Sequence, residues 1–280
     1  MHKPINEHFC ESWVNGNPAS TVSISDRGLA YGDGVFETIR VNETPVLFSQ
    51  HLSRLMRGLA ALDIPFDRTI FEGEVSRYLQ HRQHGVLKII VTRGVGGRGY
   101  ASLPNSEPNR ILSWHPLPEY PATYFSNGVS VYACKTVLGQ NPSLAGIKHL
   151  NRLEQVLARN EWGQGNYQEG IVCDFRGNVV EAVFSNLWVV NDGCLMTPRL
   201  DMSGVAGVMR EWLLEELPKR GVKVKEVTLS SSDLLSVDEI FLSNSVFGIW
   251  PVKQYNGASW SPGVITTLCQ ALVQDLLFDI

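Results

Sequence analysis

The chain has 280 residues, 44% of them hydrophobic and 19% charged, a composition that supports one large or two medium globular domains. Its formal net charge of -4 comes without an acidic tail or a basic cluster, which argues against nucleic acid and an anionic membrane surface and leaves a small molecule as the expected partner. The start, Met1 to Glu7, has no apolar signal core, and no run approaches the roughly 20 apolar residues of a bilayer span, so a cytoplasmic protein is expected.

In chain order, Trp13 to Pro18 reads as a strand entering a turn, and Val35 to Val41 alternates apolar and polar residues as a half-buried strand does. Leu52, Leu55, Met56, Leu59 and Leu62 recur at helical spacing, with Ser49 as a candidate cap. Pro116, Pro118 and Pro121 forbid regular helix and predict an extended connector. This places a domain break there, with a smaller N-terminal domain over 1–115, a connector over 116–124 and a larger domain over 125–280. Beyond it, Gly128 to Ala133 reads as a strand, and Leu150, Leu153, Val156 and Leu157 predict an amphipathic helix beginning near Lys148. Four short strands follow, Gly170 to Asp174, Val179 to Phe184, Leu187 to Val190 and Leu195 to Thr197, separated by turn residues and read as a hairpin series. A helix over Val208 to Leu217, strands near Val222 to Val227 and Glu239 to Leu242, and a C-terminal helix complete the chain. The five cysteines, Cys10, Cys134, Cys173, Cys194 and Cys269, lack zinc or redox spacing and are expected to be reduced, mostly buried thiols, with no metal site.

Several segments can carry chemistry. Gly94 to Gly99 fits G-x-G-x-x-G after a strand, but the proline-containing stretch behind it has no helical stripe to meet a pyrophosphate, so a dinucleotide site is rejected. A flexible glycine loop fits better; its Arg93 and Arg98 either clamp a substrate carboxylate or are merely solvated. Ser203 to Arg210 runs glycine-rich into a helix, which suits a phosphate where it is not simply a turn. Glu181 interrupts an apolar strand and either lies on an exposed face or needs a partner such as a pyridinium nitrogen. Lys148 is either a surface charge or, desolvated beside apolar residues, a neutral amine able to form a Schiff base.

An ordered set of segments goes further: Ser25 to Gly28, Tyr31 to Thr38, His51 to Leu55, Lys148, Glu181, Gly204 to Arg210 and Phe241 to Ser245. Over essentially the whole chain this set resembles the fold-type IV pyridoxal 5'-phosphate (PLP) enzymes, the group of branched-chain and D-amino-acid aminotransferases and aminodeoxychorismate lyase. The resemblance implies an α/β (α+β) architecture of two α/β domains with the cofactor between them. It also implies that Lys148 carries PLP covalently and is the catalytic residue, that Glu181 pairs with the pyridine nitrogen, and that Arg54, Ser245 and the N–H groups of Val208 and Met209 hold the phosphate. Three stretches, Val86 to Lys88 with Arg93 to Tyr100, Gly139 to Pro142, and Ala145 to Leu157, resemble the lyase branch. That branch implies conversion of 4-amino-4-deoxychorismate to 4-aminobenzoate and pyruvate in folate biosynthesis, with Arg98, Arg93 and Arg110 as candidates for the substrate carboxylates, and a homodimer. Where the aminotransferases often place a tyrosine shortly after the lysine, this chain has Asn151-Arg152. The alternatives are a branched-chain or D-amino-acid aminotransferase and a non-catalytic protein that has kept the scaffold; Lys148 and Glu181 together argue against the latter.

Overall fold

The computed structural model describes residues 12–103, 106–163 and 165–278. Met1 to Glu7, Cys10, Pro104 and Asn105 lie outside the described residues. The first elements are β1 (Ser12–Val14), β2 (Asn17–Pro18), α1 (Arg27–Tyr31), β3 (Gly34–Asn42), β4 (Thr44–Pro45), α2 (Phe48–Ala61), α3 (Arg68–Leu79), β5 (His84–Thr92) and β6 (Asn109–His115). After the proline-rich connector come α4 (Ala122–Ser126), β7 (Val129–Leu138), α5 (Leu153–Arg159), β8 (Glu169–Asp174), β9 (Val179–Ala182), β10 (Asn186–Asn191), β11 (Cys194–Pro198) and α6 (Val208–Lys219). The chain closes with β12 (Val224–Val227), β13 (Glu239–Asn244), β14 (Gly248–Tyr255), β15 (Ala258–Ser259) and α7 (Val264–Phe278).

The early strands form a six-stranded sheet in the order β2-β1-β6-β5-β3-β4. In β3, Val35, Glu37, Ile39 and Val41 are buried while Phe36, Thr38 and Arg40 are only partly so, the two-residue period of a strand with unlike faces. Pairing is antiparallel with Thr38 opposite Lys88 and Arg40 opposite Val86, and Val86 in turn lies opposite His115. Directly opposed residues share a face, so Phe36, Thr38, Val86, Lys88 and His115 stand together on one side of the sheet. On the other side Ile39, Leu87 and Ile89 pack against Leu52, Leu55 and Leu59 of α2 and Phe71 and Tyr78 of α3. Burying each such leucine contributes about 1.5–3 kcal/mol. Gly58 lets α2 approach the strand, since a Cβ there would sit 2.9 Å from Val35 Cγ1.

The nine-stranded sheet runs β12-β11-β10-β13-β14-β7-β8-β9, with β15 beside β14. It is mixed, parallel at β11–β12, β14–β7 and β7–β8 and antiparallel elsewhere. Trp188 and Phe241 pack with Met209 and Leu213 of α6 and Cys269 and Val273 of α7. Val131, Leu187, Leu242 and Trp250 form a separate core against which Tyr120, Tyr124 and Phe125 of the connector and α4 pack.

Several expectations are corrected. The N-cap of α2 is Leu47, in the left-handed region, and Ser49 lies inside the helix. No helix begins at Lys148: α5 starts at Leu153, and Leu153, Val156 and Leu157 are 77%, 53% and 59% exposed, so the stripe does not face this chain's core. The hairpin series holds for β8–β9 and β10–β11, but β9 and β10 lie apart in the strand order. The glycine loop after β5 contains no helix among its described residues, and it is tethered by Arg27, which donates to the carbonyls of Gly99 (3.0 Å) and Tyr100 (2.9 Å). Cys134, Cys173, Cys194 and Cys269 are all free, and only Cys269 is fully buried. No helix among the described residues is long and apolar enough to cross a membrane.

Candidate active site

A cavity of about 720 Å³ opens between the two sheets. One wall is the β3–β5–β6 face carrying Phe36, Thr38, Val86, Lys88 and His115; the other brings Glu181 and Ala182 of β9, Ser243 to Val246 at the end of β13 and just beyond it, residues of α5, and the start of α6.

Lys148 reaches the cavity from an extended segment stitched to both halves. The Phe36 N–H donates to the Lys148 carbonyl (2.9 Å) and the Leu150 N–H to the Gly34 carbonyl (3.0 Å), so this stretch borders β3. Two residues earlier, the Gly146 N–H donates to the Gly204 carbonyl (2.9 Å) and the Ala206 N–H returns to the Gly146 carbonyl (3.1 Å). The same five residues therefore tie the first sheet to the loop before α6, with the lysine side chain between. Its Nζ lies 4.4 Å from the Phe36 ring centroid. Burial first, then the Arg54 and Arg152 guanidiniums, lower its pKa to about 8, with Glu37 and Glu181 partly opposing.

Glu181 is buried, at 5% exposure. Its Oε2 accepts from the Val205 N–H (2.8 Å) and the Asn186 side-chain amide (3.5 Å), and Asn186 also donates to the Val205 carbonyl (2.9 Å). Burial pushes its pKa up to about 7, with the Val205 N–H and the charges of Arg152 and Lys148 opposing. No ion pair of Glu181 is found among the described residues, so a buried carboxylate faces the cavity with only amide donors. The loop between β9 and β10 that lines the site beside it is held from behind by Glu169, whose carboxylate accepts from the N–H groups of Gly170, Val183 and Phe184 and from the Ser185 hydroxyl.

Gly207 caps α6 and Val208 and Met209 are its first two residues, so their N–H groups have no intrahelical acceptor and present the positive end of the helix. The Val208 side chain borders the cavity, whereas that of Met209 is in the core. A Cβ at Gly207 would fall 1.9 Å from Asn186 Oδ1, so a larger residue there displaces Asn186 or the helix start. Arg54 also lines the cavity. Glu37 grips its fork at 2.8 and 2.5 Å, and its remaining arm donates to the Ala206 carbonyl at 2.9 Å. His51 adds an Nδ1 contact to Glu37 at 2.6 Å. Burial alone would raise the Glu37 pKa, but Arg54 and His51 outweigh it and hold the carboxyl at about 2. Ser245 is on the cavity wall and donates to the Thr38 carbonyl (3.2 Å).

The cavity thus brings together Lys148, Glu181, Arg54, Val208 and Ser245, with the Met209 N–H at its helix end. It does not bring in the three arginines expected for the substrate. Arg93 is buried and committed to Asp33 (2.8 Å) and to the Asp63 carbonyl (2.8 Å). Arg110 forms a two-pronged pair with Glu74, both bonds 2.8 Å. Arg98 is exposed on the glycine loop, off the cavity wall. The cavity's other basic residues are Lys88, His115, Arg152 and Arg159. Strand periodicity held one missed signal: Glu37 falls in phase with Val35, Ile39 and Val41, a carboxylate on a core face, which demands the Arg54 and His51 it receives.

These residues fit PLP on their own chemistry. A partly desolvated amine of lowered pKa can bond an aldehyde carbon, a buried carboxylate without a cationic partner suits a protonated pyridine nitrogen, and a helix N-terminus beside an arginine suits a phosphate.

A model of the family described as amino-transferase class IV matches residues 34–255. An aminodeoxychorismate lyase from Vibrio harveyi is 38% identical over 244 residues, covering 86% of this chain and 90% of that protein. The crystal structure of 4-amino-4-deoxychorismate lyase from Pseudomonas aeruginosa is 48% identical, with a TM-score of 0.93, covering 95% of this chain and all of that one. A D-alanine aminotransferase from Listeria innocua is 29% identical over 252 residues, 87% of this chain and 86% of that protein.

Proposed function

This chain belongs to the amino-transferase class IV family, and we propose that within it the chain is a PLP-dependent carbon–oxygen lyase that converts 4-amino-4-deoxychorismate to 4-aminobenzoate and pyruvate, a step toward folate. The observation that carries the cofactor half of this reading is Lys148, a half-buried amine of lowered pKa on the wall of the same cavity as the unpaired, buried Glu181 and the start of α6. The lyase half rests on the likeness to the two lyases, which exceeds that to the D-alanine aminotransferase.

Lys148 would hold PLP covalently, Glu181 would keep its pyridine nitrogen protonated, and Arg54, Ser245 and the N–H groups of Val208 and Met209 would take its phosphate. When bound, PLP supplies an electron sink for charge developing at the substrate carbon beside the amine. Lys148 would then act as the general base for the proton on C4 of the substrate. The bond between C3 and the enolpyruvyl oxygen then breaks, the ring becomes aromatic, and Lys148 returns a proton to the departing group, which leaves as pyruvate. Glu37 fixes the Arg54 fork, and Glu169 holds the loop that shapes the wall beside Glu181.

The boundaries 1–115, 116–124 and 125–280 are supported by the separation of the cores, one built from residues 35 to 112 and two from residues 129 to 277. A homodimer is supported by the exposed apolar side chains of α5 beside the cavity. A cytoplasmic location suits four cysteines that stay unpaired.

The test supplies purified, PLP-loaded protein with 4-amino-4-deoxychorismate and no keto acid, and quantifies both products. Equal amounts of 4-aminobenzoate and pyruvate over many turnovers are expected, and Lys148→Ala is expected to abolish both turnover and the borohydride-reducible cofactor link. Amino transfer to an added keto acid with neither product formed would replace this reading with an aminotransferase.

A further inference from the structure

The arginines expected to meet the substrate are spent elsewhere, yet a substrate with two carboxylates has to be recognised in this cavity. Its wall carries five lysine or arginine side chains, Arg54, Lys88, Lys148, Arg152 and Arg159, against one carboxylate, Glu181. Four of the five are accounted for. Arg54 is neutralised by Glu37, Lys148 is the covalent anchor of the proposed function, Arg152 donates to the carbonyls of His149 (2.8 Å) and Ile147 (3.1 Å), and Arg159 is exposed, donating to the Trp162 carbonyl (3.1 Å) and stacking on that ring.

Lys88 remains. It is half-buried on the β3–β5–β6 face, opposite Thr38, and no carboxylate pairs with it among the described residues. A half-buried ammonium facing a cavity without a counter-charge can donate a charge-assisted hydrogen bond to an anionic ligand. Its Nζ lies 6.0 Å from the Phe36 ring centroid, and the Lys148 Nζ lies 4.4 Å from the same centroid. The two nitrogens are therefore no farther apart than these two distances laid end to end. An amine and a carboxylate at opposite corners of one six-membered ring, extended by a single hydrogen bond, fit within that limit.

We propose that Lys88 is the specificity-determining cation that takes the ring carboxylate of the substrate, para to the amine that Lys148 gives way to. This rests on the lyase reading above and adds the residue that reads the substrate's shape. His115, across the strand pair, is not a competing cation: burial and the nearby Lys88 lower its pKa from 6.5, so above that pH it is neutral. The Phe36 ring beside both lysine nitrogens gives the flat substrate ring an apolar surface, and Thr38 and Val86 border it. An apolar amino acid such as alanine or leucine carries its only carboxylate on the carbon that bears the amine, out of reach of such a contact, so Lys88 favours the aromatic-forming substrate over these.

The test compares wild type, Lys88→Met and Lys88→Arg as PLP-loaded enzymes, measuring turnover of 4-amino-4-deoxychorismate together with inhibition by 4-aminobenzoate and by its neutral isostere 4-aminobenzamide. In Lys88→Met, KM is expected to rise at least tenfold with a smaller change in kcat, inhibition by 4-aminobenzoate to weaken by a similar factor, and inhibition by 4-aminobenzamide to stay within twofold. Lys88→Arg is expected to recover most of the carboxylate binding, and the visible absorbance of bound PLP to be unchanged in both variants. Equal sensitivity to the acid and the amide, or an unchanged KM in Lys88→Met, would overturn the proposal while leaving the lyase reading intact. Wild-type enzyme that makes neither product would overturn the lyase reading, and the proposal with it.

Discussion

At the scale of single residues, burial moves the pKa values of the site's groups away from those they have in water. Glu181 has a pKa of about 7 where 4.5 is ordinary, chiefly because it is buried. The folded protein therefore binds its proton more tightly than the unfolded chain does. This stability is fully present below about pH 4.5 and is lost as the pH rises through about 7. In the cofactor-free protein, Glu181→Gln keeps an acceptor for the Val205 N–H and removes the buried charge. It is expected to be more stable than the parent at pH 7.5 by about 1–3 kcal/mol, with the difference vanishing toward pH 4.5. Urea denaturation at the two pH values measures this, and a variant less stable at pH 7.5 would show that the amide donors alone satisfy the carboxylate. Lys148 has the opposite sense: with a folded pKa of about 8 against 10.5, the buried cation is a cost below about pH 8 that disappears by about pH 10.5.

At the scale of elements, the start of α6 is shaped by what cannot be there. Gly207 leaves Asn186 room to bridge Glu181 and the Val205 carbonyl, so the helix end and the buried carboxylate are set by one contact. Gly207→Ala puts a methyl group 1.9 Å from Asn186 Oδ1 and forces that side chain or the helix to shift. PLP affinity is expected to fall by roughly tenfold or more, about 1.4 kcal/mol, read by fluorescence titration of the cofactor-free protein. Affinity held within twofold would mean that the helix N-terminus takes no part in binding. Sequence pattern located this element well, because glycines before an apolar helical run leave a signature. The N-cap of α2 was not legible: Leu47 adopts φ 53°, a left-handed conformation that nothing in the side chain announces.

At the scale of the whole molecule, α5 presents Leu153, Val156 and Leu157 to solvent beside the cavity, an apolar surface of the kind a second copy covers. Introducing charge there, as Leu153→Glu with Leu157→Glu, is expected to convert the proposed dimer to a 31 kDa monomer, as read by sedimentation. An unchanged mass would place the interface elsewhere. The same helix shows where pattern stops being informative. Its apolar spacing is real, but periodicity reports only that a face avoids water and not which surface covers it. From the sequence alone came many of the strands and helices, the mixed α/β class and, through the resemblance, the expectation that Lys148, Glu181 and the glycine-rich helix start share a site, because local periodicity and ordered motifs are written along the chain. Only the tertiary structure decided which charges are spent and which remain: Asp33 claims Arg93, Glu74 claims Arg110 and Glu37 claims Arg54, while Lys88 faces the cavity with no carboxylate of its own among the described residues. Each of these pairs joins residues 17 to 60 positions apart, and an ion pair is made by distance in space, which spacing along a chain does not encode.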